Sequence, residues 1–484
     1  MRKPALLLLL WLTLAGVTRT QTPKAIVITD VTVIDGTGAP PKRGMTVVVR
    51  GDRITALGST GRVQVPPGAQ VVSAKGKFLM PGLWDMHVHL FNQVSRRPPN
   101  TWYFPLFIAS GVTSVRDMWT KPDDMEQVRE WRRLQSEGNL LAPRIAAVGA
   151  IVDGPAGAEA RNVAALLLGP TVNVVRTPAE SRDFVRRLKT AGIDFVKTYS
   201  NLPRETYFAI AEEAGKQGIS FAGHAPLVVD AAEASSAGQR SMEHLLQIFE
   251  SSSSKSLELF QVPARDWSSK HEEMMLDTFD DQKFRALGAV LAKNRTWQVP
   301  TLVISRVHTF RGDLRKIRNE RWMRYIPADE IASWNETDAG ASSQPTGEER
   351  NLPTRLWQKR LEVVRRMNEM GVPFLAGTDV GNPYIFPGFS LHDELALLVE
   401  AGFTPMQALQ AATRNPAQFL GVSDSLGTIE AGKVADLVLL DANPLKNIRN
   451  TQKIRAVIVN GRYLDRAALD KLLAEARARA KNPE

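Results

Sequence analysis

Two β-rich flanks enclose a long middle in which strand-like and helix-like periodicities alternate. In residues 24–79, short runs rich in Val and Ile at 25–30 and 46–50 are punctuated by Asp35-Gly36, Pro40-Pro41 and Gly51-Asp52. That is the turn chemistry that separates strands. The same style returns at 436–440 and 454–459, with Gly427, Gly432 and Gly461 at the turns. Between about Pro81 and Thr413 lie eight apolar runs of strand length, at 83–90, 112–117, 144–149, 195–199, 220–225, 241–245, 297–303 and 373–379. Stretches such as 125–137, 179–191 and 204–217, with apolar residues at helical spacing, fall between them. Eight strand–helix units predict an α/β fold, a (β/α)8 TIM barrel over 81–420. Chain ends commonly lie close together, so 21–80 and 421–465 are expected to join in one small β-sandwich domain. A charged amphipathic helix is expected within 466–484.

The strand spacing is uneven. From His244 to Asp379 there are 135 positions, whereas two strand–helix units need about 60 at roughly 30 residues each. The surplus falls mostly in 249–352, a Trp-, Arg- and Ser-rich stretch expected to form a helical lid or wall. Its basic run from Arg306 to Arg324, with Arg311, Arg315, Lys316, Arg318 and Arg321 between, reads either as a solvated helix face or as an anion-attracting rim near a substrate entrance.

Composition narrows the chemistry. The 484 residues are 43% hydrophobic and 23% charged, a globular composition rather than a disordered or polytopic one. Cysteine is absent, which excludes a disulfide framework, thiol catalysis and a Cys-held metal. Any metal has to be held by His, carboxylate or a modified side chain. The net charge of +10 comes without basic runs interleaved with aromatics, so nucleic acid is not an expected partner. Arg2 and Lys3 precede an apolar run of thirteen residues, 5–17, short of the about 20 a spanning helix needs and suited to a secretory h-region. Residues 1–20 therefore read as a signal peptide cleaved near Thr20–Gln21. The expectation is an exported, periplasmic protein with no membrane contact after signal removal. A small molecule is its expected partner, and homo-oligomerisation is left open.

Seven histidines are present, and four fall at the ends of predicted barrel strands, where catalytic groups gather in this architecture. His87 and His89, in Asp85-Met86-His87-Val88-His89, are two apart on a strand and so share a face. His224 closes Phe221-Ala222-Gly223-His224, and His244 follows Met242-Glu243. Neutral imidazoles so placed can bind a divalent ion. Asp379, in Ala376-Gly377-Thr378-Asp379, reads alone as a turn or cap residue. Beside a metal it reads as a ligand that also takes a proton from bound water. Lys197 sits between apolar neighbours in Phe195-Val196-Lys197-Thr198-Tyr199, and a buried ammonium is costly unless paired. It either snorkels to the barrel mouth or reacts with CO2 to give a carbamate, an anionic oxygen ligand able to bridge two metals.

Taken together these segments resemble the metal-dependent amidohydrolase superfamily, in its imidazolonepropionase-like and Xaa-Pro dipeptidase (prolidase)-like branch, which includes ochratoxinase-like carboxypeptidases. The resemblance rests on Pro81-Gly82-Leu83-Trp84-Asp85-Met86-His87-Val88-His89, Gly111-Val112-Thr113-Ser114-Val115-Arg116-Asp117 and Phe195-Val196-Lys197-Thr198-Tyr199. It continues through Gly223-His224-Ala225, Glu243-His244, Ala376-Gly377-Thr378-Asp379, Ser390-Leu391-His392-Asp393-Glu394-Leu395 and the tail from Gly427 to Leu437.

The resemblance implies a binuclear site. His87, His89 and Asp379 would hold one metal and His224 and His244 the other, with carboxylated Lys197 bridging. Zinc is the family default, and His and oxygen ligands suit other divalent ions as well. The implied activity is hydrolysis of an amide or peptide bond in an N-acyl amino acid or dipeptide-like substrate by a metal-bridging hydroxide, with Asp379 passing the proton to the leaving nitrogen. Tyr199 is expected to contact the substrate carboxylate or carbonyl. His392 is expected to lie behind the ligands, to touch substrate, or to sit at a helix N-terminus. One departure stands out. Prolidase-like relatives commonly carry a Gly-Gly-His-type loop after the third strand, whereas here that region reads Ala150-Ile151-Val152-Asp153-Gly154-Pro155-Ala156-Gly157. Hydrolysis of a lactone, cyclic amide or phosphotriester at the same site, or a metal-free binding role on the same fold, are the alternatives.

Overall fold

A computed structural model of the chain describes residues 24–91, 99–155, 173–262, 266–311, 313, 317–339 and 351–481. The expected signal segment, Ala156, Gly157, Arg315 and Lys316 lie outside them. The N-terminal flank supplies β1 (Ile26–Val33), β2 (Lys42–Arg50), β3 (Arg53–Ser59), β4 (Gln70–Ser73) and β5 (Phe78–Pro81). The barrel follows with β6 (Leu83–Val88), β7 (Val112–Thr120), β8 (Arg144–Asp153), β9 (Asn173–Val174), β10 (Phe195–Thr198), β11 (Ser220–Gly223), β12 (Ser241–Glu243) and β13 (Trp297–Val299). The C-terminal flank adds β14 (Leu437–Leu440), β15 (Ile454–Val459) and β16 (Arg462–Asp465).

The two flanks join in one mixed sheet of order β16-β15-β14-β5-β1-β2-β3, with β4 also paired to β1. Its Val, Ile and Leu side chains, among them Ile28, Val47, Leu79, Leu437 and Ile458, share a core of their own. β5 and β6 are separated by Gly82 alone, so the chain steps directly from this sheet into the barrel. A Cβ at Gly82 would overlap the Thr113 side chain, lying 2.7 Å from its Cγ2. Glycine is required here by that close approach.

The barrel strands are parallel neighbours in the order β13-β12-β11-β10-β8-β7-β6, with β9 on β8. They are covered on both faces, as parallel sheets require, and every residue of β7 is buried. The covering helices obey ordinary end rules. Pro178–Ala191 starts at Thr177, whose hydroxyl accepts from Glu180 N, and stops at Gly192 with φ 82°. It buries Ser181, Phe184, Val185 and Leu188 on one face.

The eighth apolar run closes the ring without a regular ladder. Val380 bridges Val88, and Phe374 bridges Gln298. Between them, Met86 N donates to Ala376 O and Leu375 N to Gln298 O, each at 2.9 Å. The run expected at 297–303 ends as a strand at Val299. Pro300 has no N–H to continue a ladder, Thr301 turns to φ 43°, and the helix Leu302–Thr309 begins. The described part of 249–352 is helical on either side of β13, with Ser269–Asp277 and Asp281–Asn294 before it and Leu302–Thr309 and Ala328–Ala339 after it. Among the described residues no helix is long and apolar enough to cross a membrane.

Gly82→Ala should lower the unfolding free energy by about 2 kcal/mol, the usual cost of overpacking a close-packed site. Urea denaturation checks this, and an unchanged midpoint would show that the step between the two sheets tolerates a side chain.

Candidate metal centre

Each of the six expected ligands leaves the C-terminal end of a barrel strand or of the closing run. β6 carries His87 and leads into His89, β10 carries Lys197, His224 follows β11, His244 follows β12, and Asp379 lies in the closing run. Barrel geometry turns these ends toward one mouth, and the side chains meet there. His87 Nε2 and His89 Nε2 each lie 3.2 Å from Asp379 Oδ1, and His244 Nε2 lies 3.9 Å from Asp379 Oδ2. Lys197 Nζ is 3.2 Å from His87 Nε2. The rings of His224 and His244 are 5.0 Å apart between centroids. One ligand atom each from His87, His244 and Asp379 falls within 4.8 Å of the others, a spacing that suits a single cation.

The outward side of this cluster is tied down. His87 Nδ1 is bonded to Glu243 Oε2 at 2.8 Å, His224 Nδ1 to Ser200 Oγ at 2.7 Å and His244 Nδ1 to Thr301 Oγ1 at 2.7 Å. Such bonds orient metal-binding imidazoles and present their other nitrogen. The inward side is left wanting. His224 Nε2 is buried without a hydrogen-bond partner, and buried polar atoms are nearly always satisfied. An all-imidazole and carboxylate donor set with an orphaned inward imidazole nitrogen fits divalent metal of the zinc type.

Protonation states agree with this fit. Burial holds His89 and His224 well below their usual range and pushes His244 down to about 3, so their lone pairs are available. Burial would raise the Asp379 carboxyl, but the adjacent His87 and His244 rings outweigh it and hold the group well below the usual carboxylate range. Burial likewise pushes the Lys197 amine down to about 8, against the pull of Asp379 and Glu243.

Beneath the ligands lies a buried charged pair. Arg116 Nη2 donates to Glu243 Oε1 at 3.0 Å, its Nη1 to Ser241 Oγ at 3.0 Å and its Nε to Met86 O at 2.6 Å. Arg116 is the guanidinium that keeps Glu243 at about 2 despite its burial. Asp85 accepts from Thr378 N and Thr378 Oγ1, which steadies the turn before Asp379. Two of the candidate ligands are in the left-handed backbone region, His244 at φ 64° and Asp379 at φ 63°. Such residues cost about 1–3 kcal/mol each and cluster at functional sites.

Tyr199 stacks on His224 at 4.2 Å and stands edge-on to Trp119 at 6.2 Å, so it borders the cluster. His392 does not join it. Its Nδ1 is bonded to Thr451 Oγ1 at 2.9 Å and its Nε2 to Ser110 O at 3.0 Å, which leaves no ring nitrogen for substrate. Its place is in the first turns of the helix Phe389–Glu400. Sequence reasoning gave no role to Arg116, Glu243, Ser200 or Thr301. For Arg116 a signal existed, a charge inside an apolar strand, the same feature that marked Lys197.

An eight-staved α/β barrel with its titratable side chains gathered at the strand C-termini is the architecture of a barrel enzyme, and this one has a His/His/Asp candidate metal site. The chain belongs to the Amidohydrolase family, which it matches over residues 78–464. An imidazolonepropionase of Pseudomonas savastanoi pv. phaseolicola is 33% identical over 120 residues, 24% of this chain and 30% of that protein. Alignments to other curated relatives are also partial, down to 13% of an adenine deaminase of Rubrobacter xylanophilus. Among solved structures, a Xaa-Pro dipeptidase with bound methionine superposes with TM-score 0.64 at 20% identity, over 91% of this chain and 100% of that chain. Bottromycin amidohydrolase superposes with TM-score 0.73 at 23% identity, over 95% of this chain and 91% of that chain. At these identities the likeness concerns the fold.

Ser200→Ala removes the partner of His224 Nδ1. It should weaken zinc binding on the order of 10-fold with little change in thermal midpoint. Competition against a chromogenic chelator reads this, and unaltered affinity would argue against His224 as a ligand.

Proposed function

We propose that the protein is a binuclear metal-dependent amidohydrolase that cleaves the amide or peptide bond of an N-acyl amino acid or dipeptide-like substrate. The observation that carries the reading is the buried Lys197 amine, 3.2 Å from His87 Nε2, within a ring of imidazoles and a carboxylate in which His224 Nε2 lacks a partner. His87, His89 and Asp379 would hold one ion and His224 and His244 the other, with Lys197 between. Divalent ions at such a donor set, zinc by donor type, supply Lewis acidity that polarises a carbonyl and acidifies a water.

The chain's own groups account for the remaining chemistry. The unprotonated Lys197 amine forms a bond to the carbon of CO2 and releases a proton, so a cation becomes a carbamate with oxygen donors. A lowered amine pKa favours that step, because only the neutral amine is nucleophilic. Asp379, kept ionised by its neighbours, accepts a proton at Oδ1 and returns it to the leaving nitrogen. Tyr199 and Trp119 wall the site and limit water around the reacting bond. The names of two structural neighbours, a dipeptidase and an amidohydrolase, favour a carbon–nitrogen bond over a lactone or phosphotriester.

A panel of N-acyl amino acids, dipeptides, lactones and phosphotriesters, assayed with zinc and bicarbonate, should show turnover confined to the amides and peptides. Asp379→Asn should lower kcat on the best substrate by about 10²- to 10⁴-fold. Turnover of lactones or phosphotriesters alone would sink the amide reading. Lys197→Ala should be inactive and partly restored by acetate or propionate, which replace the carbamate oxygens. Inactivity that small carboxylates leave unchanged would count against the bridging role.

A further inference from the structure

The loop after β8 is where the chain departs from the Gly-Gly-His pattern, and the fold shows what stands there instead. β8 ends at Asp153, which is 1% exposed. Its neighbour β10 ends at Thr198, opposite Val152 in the parallel ladder. One residue further, Tyr199 N still donates to Val152 O at 3.0 Å. Asn201 N is the next donor on that edge, two residues on, and it goes to a side chain. It donates to Asp153 Oδ1 at 2.7 Å, while Asn201 Nδ2 donates to Asp153 Oδ2 at 3.0 Å. A carboxylate thus carries the ladder one rung past the end of the strand. Burial pushes the Asp153 carboxyl up to about 6, against the bonds from Asn201 and Gly154 N, so at neutral pH it is ionised and accepts strongly at both oxygens. The two loops are in close contact here. A Cβ at Gly154 would collide with Asn201 O and come within 2.8 Å of Pro203 Cδ.

The segment gripped in this way borders the candidate metal centre. Ser200 lies between two anchored amides, Tyr199 N and Asn201 N. Its own carbonyl accepts from Leu227 N, in the loop after β11, at 2.9 Å. From this fixed backbone the Ser200 hydroxyl reaches His224 Nδ1 at 2.7 Å. The Tyr199 ring stacks on the same imidazole at 4.2 Å. His224 Nε2, on the other side of the ring, has no partner. The aim of that nitrogen is therefore set by where residues 199 and 200 are held, and a continuous series of contacts runs from Asp153 through Asn201 and Ser200 to His224.

We propose that Asp153 is a positioning residue of the candidate metal centre: by gripping both donors of Asn201 it fixes the Tyr199–Ser200 turn and, through Ser200, presents His224 Nε2 to the metal. The proposal rests on the metal-dependent reading above and adds to it a residue that touches neither metal nor substrate. Partners behind a ligating imidazole govern metal affinity because they hold the ring in its binding orientation. Asp153 extends that control by one more contact.

Zinc affinity of the full chain, read by competition against a chromogenic chelator, tests the role. Asp153→Ala should weaken binding on the order of tenfold, the scale of a lost outer partner. In a Ser200→Ala background the same substitution should have no further effect, because a residue that acts through Ser200 then has nothing to act on. Losses that multiply in the double variant, or wild-type affinity in Asp153→Ala, overturn the role. An exchanged pair covers the case in which Asp153→Ala does not fold. Asn201→Asp sets two carboxylates face to face and should weaken zinc binding. Adding Asp153→Asn should return the affinity close to the wild-type value, since the amide carbonyl still accepts from the backbone N–H at 201 and the amide nitrogen donates to the new carboxylate. No recovery in the exchanged pair also overturns the role. Zinc binding that depends on Asp153 in a protein that hydrolyses no amide would sink the amidohydrolase reading and leave the positioning role standing. Amide hydrolysis with a zinc affinity indifferent to Asp153 would do the reverse.

Discussion

Asp379 N donates to His87 O at 2.9 Å, and His89 N donates to Val380 O at 3.0 Å. These two backbone bonds set the register between the first barrel strand and the last apolar run, and nearly every feature of the site follows from that register. They put a carboxylate between two imidazoles that stand almost three hundred positions earlier in the chain. The seam is tight. A Cβ at Gly377 would come within 2.9 Å of His87 Cβ and 2.8 Å of Val299 Cγ1, so glycine is what lets the closing run approach. The left-handed turn at Asp379 then swings the carboxylate into the mouth, and the packed barrel holds it in a conformation that an isolated peptide would leave.

Below that seam the barrel interior is layered. Trp84, Met86, Trp297 and Leu375 form an apolar floor, and Arg116 with Glu243 forms a charged layer above it. A fully buried ion pair contributes little net stability, because desolvation of both charges offsets their attraction. Its value here is directional. Glu243 receives Arg116 on one side and His87 on the other, so the pair fixes the ring that approaches both Lys197 and Asp379. The hydroxyls of Ser200 and Thr301 do the same for His224 and His244. The site is thus assembled from candidate ligands that are strained or buried at a cost and from partners that prevent them from relaxing.

The helix Leu302–Thr309 links this centre to the surplus chain around β13. Its N-cap residue, Thr301, orients a candidate ligand, and Ser305 one turn on meets Arg360 at 3.4 Å. Glu394, fully buried, accepts from Val303 N at 2.9 Å, which anchors the same helix start. The orientation of His244 is therefore tied to the anchored start of this helix.

The alternation of apolar runs and amphipathic stretches determined by itself the α/β barrel and the joining of the chain ends, because burial on both faces of a parallel strand and on one face of a covering helix is written in local spacing. The six candidate ligands were legible for a related reason. Polar and titratable residues at strand ends or inside apolar runs have few structural excuses, and strand ends in a barrel share one mouth. Partnerships between strands were not legible. Glu243 meets His87 across 156 positions, and Thr301 meets His244 only because Pro300 ends a strand that composition alone would have continued to 303. His392 matched a motif, yet its neighbours Ser110 and Thr451 occupy both ring nitrogens. Register, closure and the partnerships of side chains depend on contacts between segments far apart in the chain, and only the tertiary structure decides those.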